Sequence, residues 1–570
     1  MQDALTTTGR WLACLVLSLP VYADSKNNMA SICHNATTIL SNATFITLNP
    51  KQPQANAVAI TKQRLVAVGA QQTIMTNCRG KDTQLIDLKG AVVVPGFIDT
   101  RSQFVLYGWL ADHAIDLSTT NIFHRPDWKA ITTRDAFLTE LKNKKKEGEQ
   151  WLIVNGYDQA RIRGLPLTQS MLNEISTNTP IVVLYSSGTQ ALVNQAAAKK
   201  IASLTKADKI TISNDGILSD QALQLFLTQL IDKDQAIQAI QTAAKLYAKE
   251  GYTTVTEIQG NTDWLASYEQ LTNQSDFPVD VIVSPTTIAE KQRMDVIYQD
   301  NPRLYPGPVT VQLDGPAREY AAYFTRPYLQ AVPGLDSRGQ GTTKLTSREL
   351  ETILSNASQT KMPVAIEGNG DAAIDIALNI TSKVQRLHPQ AEFYPIIVNA
   401  QFVRDDQLQR MHQMGLKISW FAPHLYYWGE AMCQEILGPQ GAYRDSPLAS
   451  AQKIMGAINV QANSPSTPPE PLKMMQLMNT REVQRWYYAA NQKCPAQFAL
   501  NERINLNDAL RALTLDAAAL YGLDKDKGSL IPGKLADMTI LSANPLQEND
   551  LKKAEIWGTV SRGVLHLDSR

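Results

Sequence analysis

The sequence predicts an α/β fold, a (β/α)8 barrel of the TIM type with strand-rich ends, and three observations carry that prediction. Between Thr253 and Gln461, short apolar runs alternate with helical patterns, as parallel strands joined by crossover helices do. Upstream, Val92-Val93-Val94-Pro95-Gly96-Phe97-Ile98-Asp99 is a β-branched run with a Pro-Gly break and an aromatic-aliphatic-acid step. It reads as a buried strand delivered into a barrel mouth. At both ends of the chain, short alternating segments are punctuated by turn residues, the pattern of half-buried strands.

A chain of 570 residues with an ordinary apolar fraction buries a large core, and more than one domain is expected. Lysine plus arginine equals aspartate plus glutamate, 54 of each, for a formal net charge of zero. The charges are evenly spread, so no electrostatic footprint points to nucleic acid or an anionic membrane. The basic run from Lys142 to Lys146 reads as the solvated face of a helix.

Taken in order, Trp11 to Val21 is an apolar run after Arg10, and Val21-Tyr22-Ala23 offers the small residues a signal peptidase reads. The run is too short to span a bilayer. Residues 1–23 therefore read as a cleaved signal, no stable membrane anchor is expected, and the expected location is periplasmic or secreted, in a bacterium. A buried N-terminal helix is the alternative. Cleavage leaves Cys33, Cys78, Cys433 and Cys494, which allow three connectivities in an oxidising compartment. Cys33 with Cys78 and Cys433 with Cys494 are the favoured pairs, since each pair shares a region of the chain; four unlinked buried thiols are the alternative.

Thr37 to Leu48, Ala55 to Gly69 and Gln84 to Val94 alternate as strands, the middle segment reading as a hairpin. The interval from Phe104 to about Gly251 exceeds one βα unit, so an inserted subdomain is expected around 104–250. Barrel strands are then read at Thr253–Ile258, Val279–Val283, Val309–Leu313, Val364–Glu367, Ile396–Val398, Leu416–Trp420 and Ile458–Gln461. Helical patterns such as Asp234–Glu250 and Asp371–Leu387 separate several of them. Short strands return at Thr539-Ile540-Leu541, Thr559-Val560 and Gly563-Val564-Leu565.

The Pro95-Gly96-Phe97-Ile98-Asp99 run resembles the first barrel strand of the amidohydrolase superfamily, where a His-x-His pair follows. Lys527-Gly528-Ser529-Leu530-Ile531-Pro532-Gly533-Lys534-Leu535-Ala536-Asp537 resembles another of its motifs. Asn155-Gly156-Tyr157-Asp158, Val311-Gln312-Leu313-Asp314-Gly315, Gly370-Asp371-Ala372-Ala373, Pro423-His424-Leu425-Tyr426-Tyr427-Trp428-Gly429 and the stretch from Pro465 to Leu472 look like the amidohydrolase 3 group. The resemblance covers essentially the whole mature chain. It implies a barrel over residues 95–524 and a small β-sandwich assembled from residues 24–94 and 525–570. It also implies zinc or another divalent metal held by the His-x-His pair, a carboxylated lysine, two later histidines and an aspartate that serves as general base.

Mapped onto this chain, the His-x-His pair is Arg101 and Gln103, the lysine is Gln312, the later histidines are Glu367 and Asn399, and the aspartate is Asn463. Gln190 takes a further position where the group commonly has histidine. A guanidinium has no lone pair to offer, and one carboxylate among neutral amides is a poor site for zinc. The substitutions run one way, towards side chains that hydrogen-bond and ligate poorly, so no cofactor is expected. With metal, aspartate and carbamate gone together, Arg101 and Glu367 are left as the charges of the site and are expected to pair. His424, a lone imidazole, reads as a ligand contact or a packed histidine rather than a metal ligand. Tyr426-Tyr427-Trp428 either walls a pocket or packs.

The leading expectation is an exported pseudoenzyme or regulatory protein whose pocket binds a small molecule or a protein, the small molecule carboxylate-bearing if Glu367 leaves Arg101 unneutralised. The alternative is a hydrolase of non-peptide C–N bonds with Glu367 or Asp371 as base and Arg101 as oxyanion stabiliser. Asp371 also reads as a helix cap. No nucleophile elbow, Cys-His pair or phosphate loop offers another chemistry. The oligomeric state is not legible in the sequence.

Overall fold

The computed structural model describes residue 33 and residues 35–145, 150–204, 210–258, 260, 264–297, 301–332, 335–487 and 492–567. The expected signal peptide, residues 1–23, lies outside the described residues. Phe97–Ile98, Tyr252–Ile258, Asp280–Ser284 and Leu304–Pro306 pair in parallel. Val309–Gln312, Val364–Gly368, Ile396–Asn399 and Lys417–Trp420 form a second parallel sheet. The two sheets are stitched together where Gly307 N donates to Val283 O at 2.8 Å and Thr310 N to Pro285 O at 2.9 Å. At the far edge Trp420 makes a parallel bridge to Val460, and Asn463 N donates to Arg101 O at 2.9 Å.

Strands thus run in a closed circuit, with 304–312 one interrupted strand and the segment around Val460 the last. That last segment is a single bridge rather than the run expected at Ile458–Gln461, because Asn463, at φ +54°, turns the chain back towards Arg101. The strands are apolar on both faces because helices cover them outside and side chains fill them inside: every residue of Val364–Gly368 and Ile396–Asn399 is buried. Asp371–Leu387 is the helix expected from its pattern, and Lys233–Lys249 matches Asp234–Glu250 within a residue at each end.

Strands from residues 38–95 and 538–567 enter one eight-stranded sheet, in which Met538–Leu541 pairs antiparallel with Val92–Pro95. Its core includes Phe45, Val58, Val93, Met538 and Ile540. Arg64 bridges Leu535, and Ala536 N donates to Gln63 O at 2.8 Å. The sheet therefore curls back on itself. The expected hairpin joins Gln54–Thr61 to Arg64–Gly69. Lys62 and Gln63 both sit at positive φ, 46° and 69°, as a two-residue turn between twisted strands requires.

A separate five-stranded sheet, running from Ile115–Asp116 to Ile217–Ser219, stands within the long interval after the first barrel strand. It has its own core of residues such as Phe137, Leu141, Val154, Leu172 and Val183. It is tied to the barrel by the helices Phe104–His113 and Lys233–Lys249, which pack closely: a Cβ on Gly108 would lie 1.9 Å from the Ala239 carbonyl oxygen. The disulfides Cys33–Cys78 and Cys433–Cys494 both form, as favoured from the sequence. Among the described residues, no helix is long and apolar enough to cross a membrane.

Candidate functional site

The parallel register places Gln312 beside Glu367 and Gly368 beside Asn399, so successive strands deliver side chains to one end of the barrel. Arg101, Gln103, Gln312, Glu367, Asn399 and Asn463 all line one cavity of about 620 Å³. All six mapped positions therefore share one space. At its base, Arg101 Nη2 meets Glu367 Oε2 at 2.5 Å, both side chains more than nine-tenths buried. The expected pair is direct, with no bridging water needed, and Glu367 neutralises Arg101.

The amides complete the base. Asn399 Nδ2 donates to Glu367 Oε1 at 3.2 Å and to Asn369 Oδ1 at 3.0 Å. Gln461 Nε2 donates to Asn399 Oδ1 at 2.7 Å, and Ser419 Oγ donates to Gln461 Oε1 at 3.0 Å. Asn369 is fixed in turn by Asp314, which accepts from the backbone N–H groups of Asn369, Gly370 and Tyr323 at 2.8–3.0 Å. Burial pushes the Asp314 carboxyl up to about 7 against those hydrogen bonds. Asn399 and Asn463 both take left-handed backbone, at φ +69° and +54°, a region asparagine tolerates better than most residues. At the mouth, Lys344 Nζ donates to Gln312 Oε1 at 2.8 Å and pairs with Asp220.

A second guanidinium lines the cavity. Arg318 is buried, lies 4.1 Å over the Trp428 ring and donates through Nη1 to His424 Nε2 at 3.2 Å. Burial and then the charge of Arg318 hold the His424 imidazole well below its ordinary range, so it is neutral and accepts. His424 also packs edge-on to Phe421 at 4.1 Å. Tyr427 and Trp428 are buried packing residues, and Trp428 Nε1 is bonded to Asp158.

Two sequence expectations are corrected. Gln190 is held in the strand Gln190–Val193, paired with Ser219, and the wall there is formed by Ser187, Gly188 and Thr189. Asp371 faces away from the cavity: its carboxylate accepts from Thr325 N and Oγ1 at 2.9 and 2.6 Å and from Arg404 Nη1 at 3.0 Å. It is not a cap either, since Gly370 is the N-cap and no side chain caps that end. Its candidacy as a base ends with those bonds. The sequence reading missed Arg318, Asn369, Lys344 and Gln461. Of these, Arg318 alone carried a signal, an Arg318-Glu319 charge pair set between Pro316-Ala317 and Ala321 just after a retained motif.

A divalent metal does not fit this set of side chains. Arg101 offers no lone pair, both Glu367 oxygens already accept hydrogen bonds, and the other four positions carry neutral amides. Among the described residues, no three His, Cys, Asp or Glu side chains group so as to hold a metal ion.

A sequence model described as "Amidohydrolase family" matches residues 84–565. The chain is 26% identical over 546 residues to Protein LONG AFTER FAR-RED 3 of Arabidopsis thaliana, covering 90% of this chain and 88% of that protein. It is 21% identical over 574 residues to an N-substituted formamide deformylase of Arthrobacter pascens, covering 93% and 98%. In structure it is similar to an uncharacterized metal-dependent hydrolase from Pyrococcus horikoshii, with a TM-score of 0.69 at 20% identity over 89% of this chain and 98% of that one. At that identity the structural likeness speaks for the fold alone.

Proposed function

This chain belongs to the amidohydrolase family, and from that premise we propose that it is a member without the family's metal chemistry, acting as a small-molecule-binding or regulatory protein. The observation that supports this most is the Arg101–Glu367 ion pair at the centre of the positions where relatives would hold metal. A cation and an anion of the protein stand there together, and neutral amides surround them with hydrogen bonds already made. The cavity above is of ligand size. We further propose export, with residues 1–23 as signal, for which the two disulfides are the support.

The competing reading, hydrolysis of a C–N bond with Glu367 as base, draws on the family and on the name of the Arthrobacter relative. Against it stands the ion pair: protonating Glu367 would leave the buried Arg101 guanidinium without its counter-charge. The test is metal content of the mature protein, expressed with its N-terminal segment and purified without chelator or His-tag, beside an ordinary amidohydrolase. Metal at background, with no turnover of activated amides or N-formyl amines, is expected. Near-stoichiometric zinc, iron or manganese, or turnover abolished by Glu367→Gln, overturns the proposal.

A further inference from the structure

We infer that Arg318 is the anion anchor of this cavity and that its ligand is a small polar carboxylate, an inference that rests on the binding reading above. Arg101 is already matched by Glu367. Arg318 makes no ion pair in contact: it is 4% exposed, lines the cavity, and has no carboxylate oxygen within 4 Å among the described residues, although the charges of Glu319, Asp158 and Glu367 act on it from farther off. Glu319, the adjacent residue, turns its carboxylate to Thr189 Oγ1 at 3.3 Å. The other acids of the wall are engaged as well, Asp220 by Lys344 and Glu290 by Thr286 and Thr287.

The partners Arg318 does have are suited to holding a cation without cancelling it. They are the face of Trp428 and the lone pair of a neutral imidazole. Its Nε and the Nδ1 of His424 are buried with no hydrogen-bond partner. A buried guanidinium with no carboxylate in contact is costly unless something completes its hydrogen bonds, and a planar guanidinium matches a carboxylate in geometry and charge. The remaining wall is rich in amides and hydroxyls, with Gln103, Gln221, Gln224, Asn369 and Thr228 among them. Such a wall suits an acid that also carries hydroxyl or amide groups, rather than a fatty acid.

The test is calorimetric titration of the mature protein with paired probes: gluconate against sorbitol, and N-acetylglycine against N-acetylglycinamide. Charge-assisted hydrogen bonds give an expected preference for the acid of each pair of about ten- to a hundredfold. That preference should vanish in Arg318→Gln and persist in part in Arg318→Lys, both checked for native far-UV dichroism and melting. Equal binding of acid and neutral partner, binding of neither acid, or an unchanged acid preference in a folded Arg318→Gln overturns the anchor. Binding of the neutral probes alone would leave the binding reading standing without the anchor. Turnover of N-acetylglycine would sink the binding reading instead.

Discussion

The Arg101–Glu367 pair is the sharpest place to perturb this site. Glu367→Gln leaves a buried guanidinium whose Nε and Nη1 have no other hydrogen-bond partner, and Arg101→Gln leaves a buried carboxylate with only Asn399. Removing one partner of a buried pair typically costs about 3–5 kcal/mol, whereas replacing both by neutral groups is often close to neutral. At roughly 2.1 cal/mol/K per residue, the 570-residue chain unfolds with an entropy of about 1.2 kcal/mol/K. Each single variant should therefore lower Tm by about 3–4 °C, and the double variant, with two amides facing each other, by about 1 °C or less. Differential scanning calorimetry of the four proteins at pH 7 reads the cycle. Single variants that melt with the wild type, or a double variant whose loss equals the sum of the singles, would refute the claim that these charges complete each other.

Two further outcomes concern the surroundings of the site. Burial pushes the Glu257 carboxyl up to about 8, so between about pH 4, where the unfolded chain releases that proton, and pH 8 the folded state binds more protons than the unfolded. Stability falls as pH rises through that window. The fall in Tm from pH 5 to pH 8 should be shallower in Glu257→Gln but not flat, since Asp314 and Asp445, raised to about 7 and about 6, act in the same sense; an equally steep fall would reject the assignment. Cys433–Cys494 closes a span of 61 residues, worth about 4 kcal/mol on the chain-entropy account. Cys433→Ala with Cys494→Ala should lower Tm by about 3–4 °C, and a variant that melts with the untreated wild type would argue against that bond in solution.

Local pattern made much of this molecule legible. Strand runs such as Val364–Ile366 are apolar because both faces are covered, and that demand is written in consecutive residues. Asp371–Leu387 could be bounded because its apolar stripe, with six buried apolar positions, recurs at helical spacing. The substituted ligand positions were legible too, because each lies within a short retained motif at a strand end, and a guanidinium cannot ligate wherever it stands.

What the sequence could not supply was who meets whom across the barrel. Arg101 and Glu367 are 266 residues apart, and only the parallel register and the closing turn at Asn463 bring them to 2.5 Å. Asp371 carried the residue type of a base, yet its strand-to-helix turn aims it at Thr325 and Arg404. Gln190 had the right residue type, but it is locked in a strand beside the wall. Arg318 gained meaning from what surrounds it, the ring of Trp428, a neutral His424 and no carboxylate in contact among the described residues. The chemistry available at each position is a property of the side chain and can be read from the sequence. Its partners and its exposure are set by long-range packing, and only the tertiary structure decides them.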